Sequence, residues 1–319
     1  MRAYVAACRR ELVEAHLPPA TSVFIGGGTP SQLPADLLCS VLDAIDRAPA
    51  CEVTVECNPQ DVSASMLVRW RRVGVNRVSF GVQSMLPHVL GALGRDQRPD
   101  DARRAVALTR EAGIESFNVD LIYGAVGESD DDWDRTVDEV LAVDPPHVSA
   151  YALTVEPGTP LAADPARHPD ADDQAGKYLR LEAVLATAGL RSYEISNWAR
   201  PGHECRHNLL YWASGDYRGI GCAAHSHRAG RRWWNVRTPE RYIAAIEVGR
   251  SPVAAAEQLD ATTRRVEALQ LSLRTRAGVP AAALPDTDGL EHLIASDGER
   301  VVLTPEGRLL ANEVALRVR

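Results

Sequence analysis

Apolar positions recur along this chain in two alternating periods. Spacings of three and four mark helices. Tyr4, Val5, Cys8, Leu12 and Val13 share one side of a segment from Met1 to about Glu14, and Leu38, Val41, Leu42 and Ile45 share one side of Leu37 to Ile45. Short apolar or alternating runs mark strands: Val23-Phe24-Ile25, Glu52 to Glu56, Arg77 to Ser84, Ser116 to Asp120, His147 to Leu153 and Tyr193-Glu194-Ile195. The intervening helices carry their own start and stop signals. Ser63 caps a helix that Gly74 ends, and Asp100 with Asp101 opens one that ends at Ala112-Gly113. Ser129 and Asp132 form a capping box for a helix ending near Val143, which Pro145-Pro146 stops. A last one runs from about Asp172 to Ala188 and is closed by Gly189. The helical start predicts that the chain begins part-way through a repeating unit.

Strand and helix in alternation force parallel pairing through right-handed crossovers. A βα unit of a TIM-type barrel takes roughly 30 residues, close to the repeat here. The prediction is an α/β fold: a partial TIM-type (βα) barrel with extension over residues 1–257, working at the C-terminal ends of its strands. From about Gln258 the texture changes. Thr262 to Leu273 and Leu290 to Ala295 read as helices, Asp297-Gly298 as a hairpin turn, and Thr304-Pro305-Glu306 as a capped helix start. Residues 258–319 are therefore expected to form a small winged-helix-like α+β domain. It lacks a basic stripe, so packing against the barrel or a partner is expected in place of DNA binding.

Composition narrows the class. Hydrophobic residues make up 45% of the 319 and charged ones 24%, ordinary for a soluble globular protein. The net charge of −8 gives no reason to expect nucleic acid. No apolar run is long enough to span a bilayer and no signal peptide is legible, so a cytoplasmic location is expected. The six cysteines, at 8, 39, 51, 57, 205 and 222, show no C-x-x-C spacing. They read as free or metal-ligating thiols in a reducing compartment.

Candidate chemistry gathers where the strands end. Gly26-Gly27-Gly28-Thr29 follows the first strand, and Glu56 with Asn58 the second. Gln83 and Ser84, Asn118 and Asp120, Thr154 and Glu156, and Glu194 occupy the same place on later ones. Three successive glycines pack nothing, but they let bare backbone approach a ligand closely. Singly, each polar residue is more often a cap or a loop hydrogen bond. Together, a parallel barrel would converge them on one pocket rich in carboxylates and amides. Such a pocket suits a ligand with an ammonium group and hydroxyls, such as an amino acid joined to a nucleoside.

Five stretches sharpen this: Gly26-Gly27-Gly28-Thr29-Pro30, Glu56-Cys57-Asn58-Pro59, Gly81-Val82-Gln83-Ser84, Leu93-Gly94-Arg95 and Asn118 to Gly124. In this order they resemble the motifs of the radical S-adenosylmethionine proteins related to oxygen-independent coproporphyrinogen III oxidase, over nearly the whole chain. His207-Asn208-Leu209-Leu210-Tyr211-Trp212 further resembles the H-N-x-x-Y-W signature of the HemW heme chaperones, and Gly219 to His225 also matches. The resemblance implies a radical SAM barrel missing its first strand. It implies S-adenosylmethionine on Gly27, Gly28, Thr29, Glu56, Gln83, Arg95 and Asp120, with Thr154 and His225 added to that set, and heme iron on His207. It implies heme chaperone activity, with decarboxylation of coproporphyrinogen III as the alternative and a non-catalytic scaffold as a third reading. The implied partners are heme and recipient heme apoproteins, those of the respiratory chain included, with peripheral membrane contact through the recipient.

The family's [4Fe–4S] cluster is held by C-x-x-x-C-x-x-C, and no such spacing occurs here. The chain as written is therefore not expected to assemble the cluster, and a start upstream of Met1 is favoured over a degenerate form. Three readings of the histidine region stay open. His203, Cys205 and His207, with Cys222, His225 and His227 nearby, could hold zinc, though without finger spacing. His207 could be a hydrogen-bonded loop residue beside Tyr211 and Trp212, or a heme ligand against an aromatic wall.

Overall fold

The computed structural model describes residues 1–318. Helix α1 (Arg2–Ala15) leads into five parallel strands: β1 (Ala20–Ile25), β2 (Arg47–Cys57), β3 (Arg77–Gln83), β4 (Ser116–Tyr123) and β5 (His147–Ala152). They are connected by α2 (Ala35–Leu42), α3 (Ala64–Arg72), α4 (Pro87–Ala92) with α5 (Pro99–Glu111), and α6 (Asp130–Ala142). After α7 (Ala171–Thr187), the hairpin β6 (Arg191–Ser192) and β7 (Asn197–Ala199) closes the row in the order β1-β2-β3-β4-β5-β7-β6.

Side chains alternate across each strand, so each strand presents one set to the helices and one to the concave side. Val53, Val55, Val78, Phe80, Phe117, Val119 and Val148 face the helices and join Leu67, Trp70, Trp133 and Leu181 in one buried core. Each such side chain contributes ~1.5–3 kcal/mol on burial. The helix-facing side therefore supplies the apolar cohesion, and the concave side is free to be polar. The capping signals act as expected. Ser63 accepts from the Met66 N–H at 3.3 Å, and Ser129 and Asp132 cap each other's backbone at 3.2 and 3.0 Å.

Two local expectations within this sheet need correction. Tyr193-Glu194-Ile195 is the turn between β6 and β7 and not a strand of the parallel series. Glu194 folds back to accept the Ser196 N–H at 2.9 Å, and the hairpin pairs antiparallel with β5. The strand beginning at Ser116 also runs beyond Asp120 to Tyr123, because Leu121 and Tyr123 stay in register with β5 and remain buried.

Helix α8 (Arg206–Trp212) follows, then an antiparallel sheet with no counterpart in the expected plan. It consists of β8 (His225–Arg228), β9 (Arg231–Asn235) and β10 (Val253–Gln258), with α9 (Pro239–Glu247) inserted before β10. Buried Glu11 of α1 secures this sheet. It accepts from Tyr242 OH at 2.6 Å, Arg218 at 2.8 Å, the Gly221 N–H at 3.1 Å and Asn235 at 3.2 Å.

Helix α10 (Ala261–Leu273) opens the last unit, with β11 (Val279–Pro280), β12 (Ile294–Ser296), β13 (Arg300–Leu303), α11 (Pro305–Leu309) and α12 (Ala311–Ala315). Leu273, Val279, Leu293, Val301 and Val314 form its own apolar cluster. The stretch Leu290 to Ala295 is not helical. One turn is made, with Ile294 N–H on Leu290 O at 3.1 Å, and Ile294 then pairs with Leu303 as strand. No helix among the described residues is long and apolar enough to cross a membrane.

Candidate functional site

The glycine stretch leaves β1 in conformations that side chains resist. Gly27 and Gly28 have φ of 78° and 72°, in the left-handed region that favours glycine. A Cβ on Gly26 would stand 2.9 Å from Glu56 Oε2 and 3.0 Å from the Phe24 ring. Glu56, at the end of neighbouring β2, therefore lies directly against the loop and accepts the Gly27 N–H at 3.2 Å. The turn beyond Thr29 is fastened by Ser31, which accepts from the Asn58 N–H at 3.2 Å and donates to Asp61 at 2.6 Å.

On β3, Gln83 takes φ 68° at a bulge against β4, an uncommon conformation for a residue with a side chain. Its amide folds back over Gly81, where an added Cβ would meet it at 2.9 Å and Asn58 Oδ1 at 3.8 Å. On β4, Asp120 accepts from Ser79 at 3.0 Å and from Asn118 at 2.7 Å. Glu56, Gln83, Asp120 and the glycines thus meet at one mouth. Burial pushes the Glu56 carboxyl up, and the neighbouring Asp120 charge pushes it further. Burial in the wall likewise pushes Asp120 up, against hydrogen bonds from Ser79, Ser149 and Asn118 and the charge of Arg77. Among the described residues neither carboxylate makes an ion pair, so the mouth is an acidic cradle beside open backbone.

The other expected positions are more peripheral. Arg95 is exposed on the loop after α4, which Gln97 ties to the end of β3 through the Gly81 carbonyl at 2.9 Å. Thr154 is exposed past β5, its hydroxyl donating to Ala152 O at 3.3 Å. His225 is exposed at the start of β8 and stacks on Trp234 at 5.7 Å.

Below the mouth the concave face carries a polar layer of which sequence reasoning singled out only Asn118. Asn118 donates to Ser79 at 2.7 Å and Ser149 at 2.8 Å, and accepts from His147 Nδ1 at 2.6 Å. Tyr193 OH donates to His147 Nε2 at 2.9 Å, and burial with the Arg77 charge keeps this imidazole neutral. The available signal was phase. Glu52, Thr54 and Glu56 alternate with Val53 and Val55, and Asn118 and Asp120 with Val119.

His207 sits in the first turn of α8, not in a loop. Buried Glu52 of β2 accepts the Arg206 and His207 N–H groups at 3.1 and 3.2 Å and so caps the helix. The imidazole stacks on Phe24 at 5.2 Å and meets Tyr211 edge-on at 4.9 Å. Nδ1 lies 3.1 Å from Ser22 Oγ, while Nε2 has no protein partner among the described residues. Burial lowers the His207 pKa against the opposing pull of Glu52, so the ring is neutral near pH 7.

The cysteines do not fit an iron–sulfur cluster. Among the described residues no three of His, Cys, Asp or Glu are placed to hold a metal, which also removes the zinc reading. Burial pushes the thiols of Cys8 and Cys205 up to about 11 and of Cys57 to about 12, so in this structure they stand protonated near pH 7.

The sequence pattern of the Radical SAM superfamily matches residues 4–140. The chain is 42% identical to heme chaperone HemW of Mycobacterium tuberculosis, over 95% of its own length and 82% of that protein's. It is 33% identical to heme chaperone HemW of Bacillus subtilis, over 93% and 85% respectively. Among solved structures, the radical SAM enzyme coproporphyrinogen III oxidase (HemN) of Escherichia coli superposes with a TM-score of 0.85 at 20% identity. That match covers 98% of this chain and 82% of the other, and it shows a shared fold.

Proposed function

The chain belongs to the HemW heme chaperone family, and from that premise we propose that it binds heme and passes it to recipient heme apoproteins. The observation that carries the reading is His207. Its imidazole is neutral, fixed at Nδ1 by Ser22 and free at Nε2, and it stands among Phe24 and Tyr211. A neutral imidazole with one nitrogen held and the other free is the form that ligates iron.

The strand-end mouth is proposed as the site of S-adenosylmethionine, and its residues fit that ligand. S-adenosylmethionine would bring a sulfonium and an ammonium cation to two carboxylates that make no ion pair among the described residues. Gly27 and Gly28 offer backbone groups, Glu56 takes the ammonium, Asp120 accepts from ribose hydroxyls, and Gln83 and Arg95 hold the remaining polar groups. Thr154 and His225 stand further out, as contacts to the rim. The described residues do not supply a [4Fe–4S] ligand set, so no step is assigned to a cluster.

Titration of the purified protein with ferric heme tests the proposal. A Soret band is expected, shifted and weakened in His207→Ala. Conversion of coproporphyrinogen III to protoporphyrinogen under anaerobic reduction, with no heme bound, would favour the enzymatic alternative instead.

A further inference from the structure

A hollow of about 230 Å³ lies on the seam between the barrel and the last unit. That volume is below the roughly 300–1,000 Å³ usual for drug-sized ligands, which limits an occupant to about ten heavy atoms. The barrel supplies one wall from α7, Leu190 and the β6–β7 hairpin. The last unit supplies the other from the end of α10, β13 and α11. Much of the lining is apolar: Ala186 and Leu190 on the first wall, and Leu273, Val302 and Leu303 on the second. Such surface suits a carbon skeleton and gives no hydrogen bonds to a small hydrated ion.

The charged lining is mostly basic. Arg191, Arg274, Arg276 and Arg308 border the hollow, with Glu182 and Glu194. Both acids are engaged. Glu182 accepts from Arg308 at 2.9 Å and from Trp198, and Glu194 accepts the Ser196 N–H at 2.9 Å and the Asn197 amide. Burial pushes the Glu194 carboxyl up, toward its neutral form. Arg276 donates to Glu204 at 3.2 Å. The other two guanidinium groups make no ion pair among the described residues. Arg191 is exposed at the start of β6. Arg274 is half-buried and reaches only neutral acceptors, the Gln270 carbonyl and Asn312 Oδ1, each at 2.6 Å. Burial lowers the Arg274 pKa, and no carboxylate offsets that cost.

We infer that this hollow binds a small carboxylic acid as its anion, with the carboxylate on Arg191 and Arg274 and an apolar body against Leu190, Leu273 and Val302. A guanidinium fork matches a carboxylate in shape and charge, and the bond is strongest where water is partly excluded. One fork comes from the barrel and the other from the last unit, so the ligand would join the two. This site lies on the far side of α7 and β6 from no residue assigned to S-adenosylmethionine or heme, since its lining shares none of them. It therefore stands or falls apart from both of those readings.

Benzoate is a suitable probe, with two controls that each lack one feature. Benzamide keeps the ring without the charge, and inorganic phosphate keeps the charge without the ring. Isothermal titration into the full chain is expected to show one saturable benzoate site, with both controls weaker by about tenfold or more. Arg191→Ser and Arg274→Met should each weaken benzoate by about tenfold. Ala186→Trp, on the exposed side of α7, should fill the hollow and weaken it without changing charge. Arg274 also ties α10 to α12, so its variant is checked by circular dichroism, and Arg191→Ser carries the test if that variant does not fold. Three results would each overturn the inference: no saturable benzoate binding to wild type, wild-type affinity in both Arg191→Ser and Ala186→Trp, or phosphate binding as tightly as benzoate.

Discussion

Glu56 and Asp120 are two acids sharing one mouth and making no ion pair among the described residues, and both carboxyls are pushed above the ordinary range of about 4. In the folded state each keeps its proton to a higher pH than in the unfolded chain. Across that window the folded state binds more protons, so this contribution to stability falls as pH rises. Glu56→Gln removes the charge that causes the loss. The variant is therefore expected to melt higher than wild type at pH 8 and close to it near pH 5, by calorimetry at both pH values. Binding moves the other way. A cationic ligand needs the ionised carboxylates, so S-adenosylmethionine affinity should weaken in wild type as pH falls into the raised range where they take up protons. Glu56→Gln should bind it about tenfold more weakly at pH 8, measured by isothermal titration. Gly26 is the second residue on which the mouth depends. In Gly26→Ala the new methyl displaces the Glu56 carboxylate, which stands 2.9 Å away, while the chain beyond it is open. Folding should survive, and ligand affinity should drop as in Glu56→Gln.

Helix α8 presents His207 and Tyr211, and β2 presents the group that caps it. The Glu52 carboxylate takes two of the helix's free N–H groups and accepts from Cys205 Sγ at 3.6 Å. Glu52→Ala should cost about 1–3 kcal/mol, the scale for stranding buried donors, read as a lower denaturant midpoint. It should also weaken the heme Soret band as His207→Ala does, although Glu52 sits beneath the helix. Glu52→Gln, which keeps an acceptor, should recover much of both. The legibility of the elements follows similar lines. Segments with a start signal of their own were readable: Ser63, Asp100-Asp101 and Ser129 with Asp132 each opened a helix where the structure has one. Segments defined by partners distant in sequence were not. The strands from His225 to Gln258 carry charged and aromatic residues in no clean period, and they form a sheet because Glu11, more than 200 residues earlier, gathers their loops. Leu290 and Leu293 suit a helix turn or the approach to a strand equally well, and pairing of Ile294 with Leu303 decided it. Glu56 and Asp120 were legible from position alone, whereas Glu194 was not. Glu52 was not, because a polar residue early in a strand reads as surface until the strand is rolled inward.

At the scale of the molecule, the last unit matters because α10 faces α8 across a cleft of about 520 Å³ and so must hold a fixed place against the barrel. The fastening is compact. Arg308 of α11 reaches α7, donating to Glu182 at 2.9 Å and approaching Tyr178 OH at 3.5 Å, and Trp198 of β7 donates to the same Glu182 carboxylate. Both charged side chains are mostly buried, at 16% and 20% exposure, so solvent screens the pair far less than a surface one. Arg308→Ala leaves Glu182 short of its cation, and the loss should be about 1–3 kcal/mol. The effect need not spread through the barrel, whose core is a separate apolar cluster. Limited proteolysis should therefore cut first near residues 258–261 in Arg308→Ala, with the mouth intact. S-adenosylmethionine affinity should stay near wild type, because its proposed site lies within the barrel. Loss of that affinity would mean that the barrel had loosened with its appendage, and that Arg308 serves the fold as a whole and not the placement of α10.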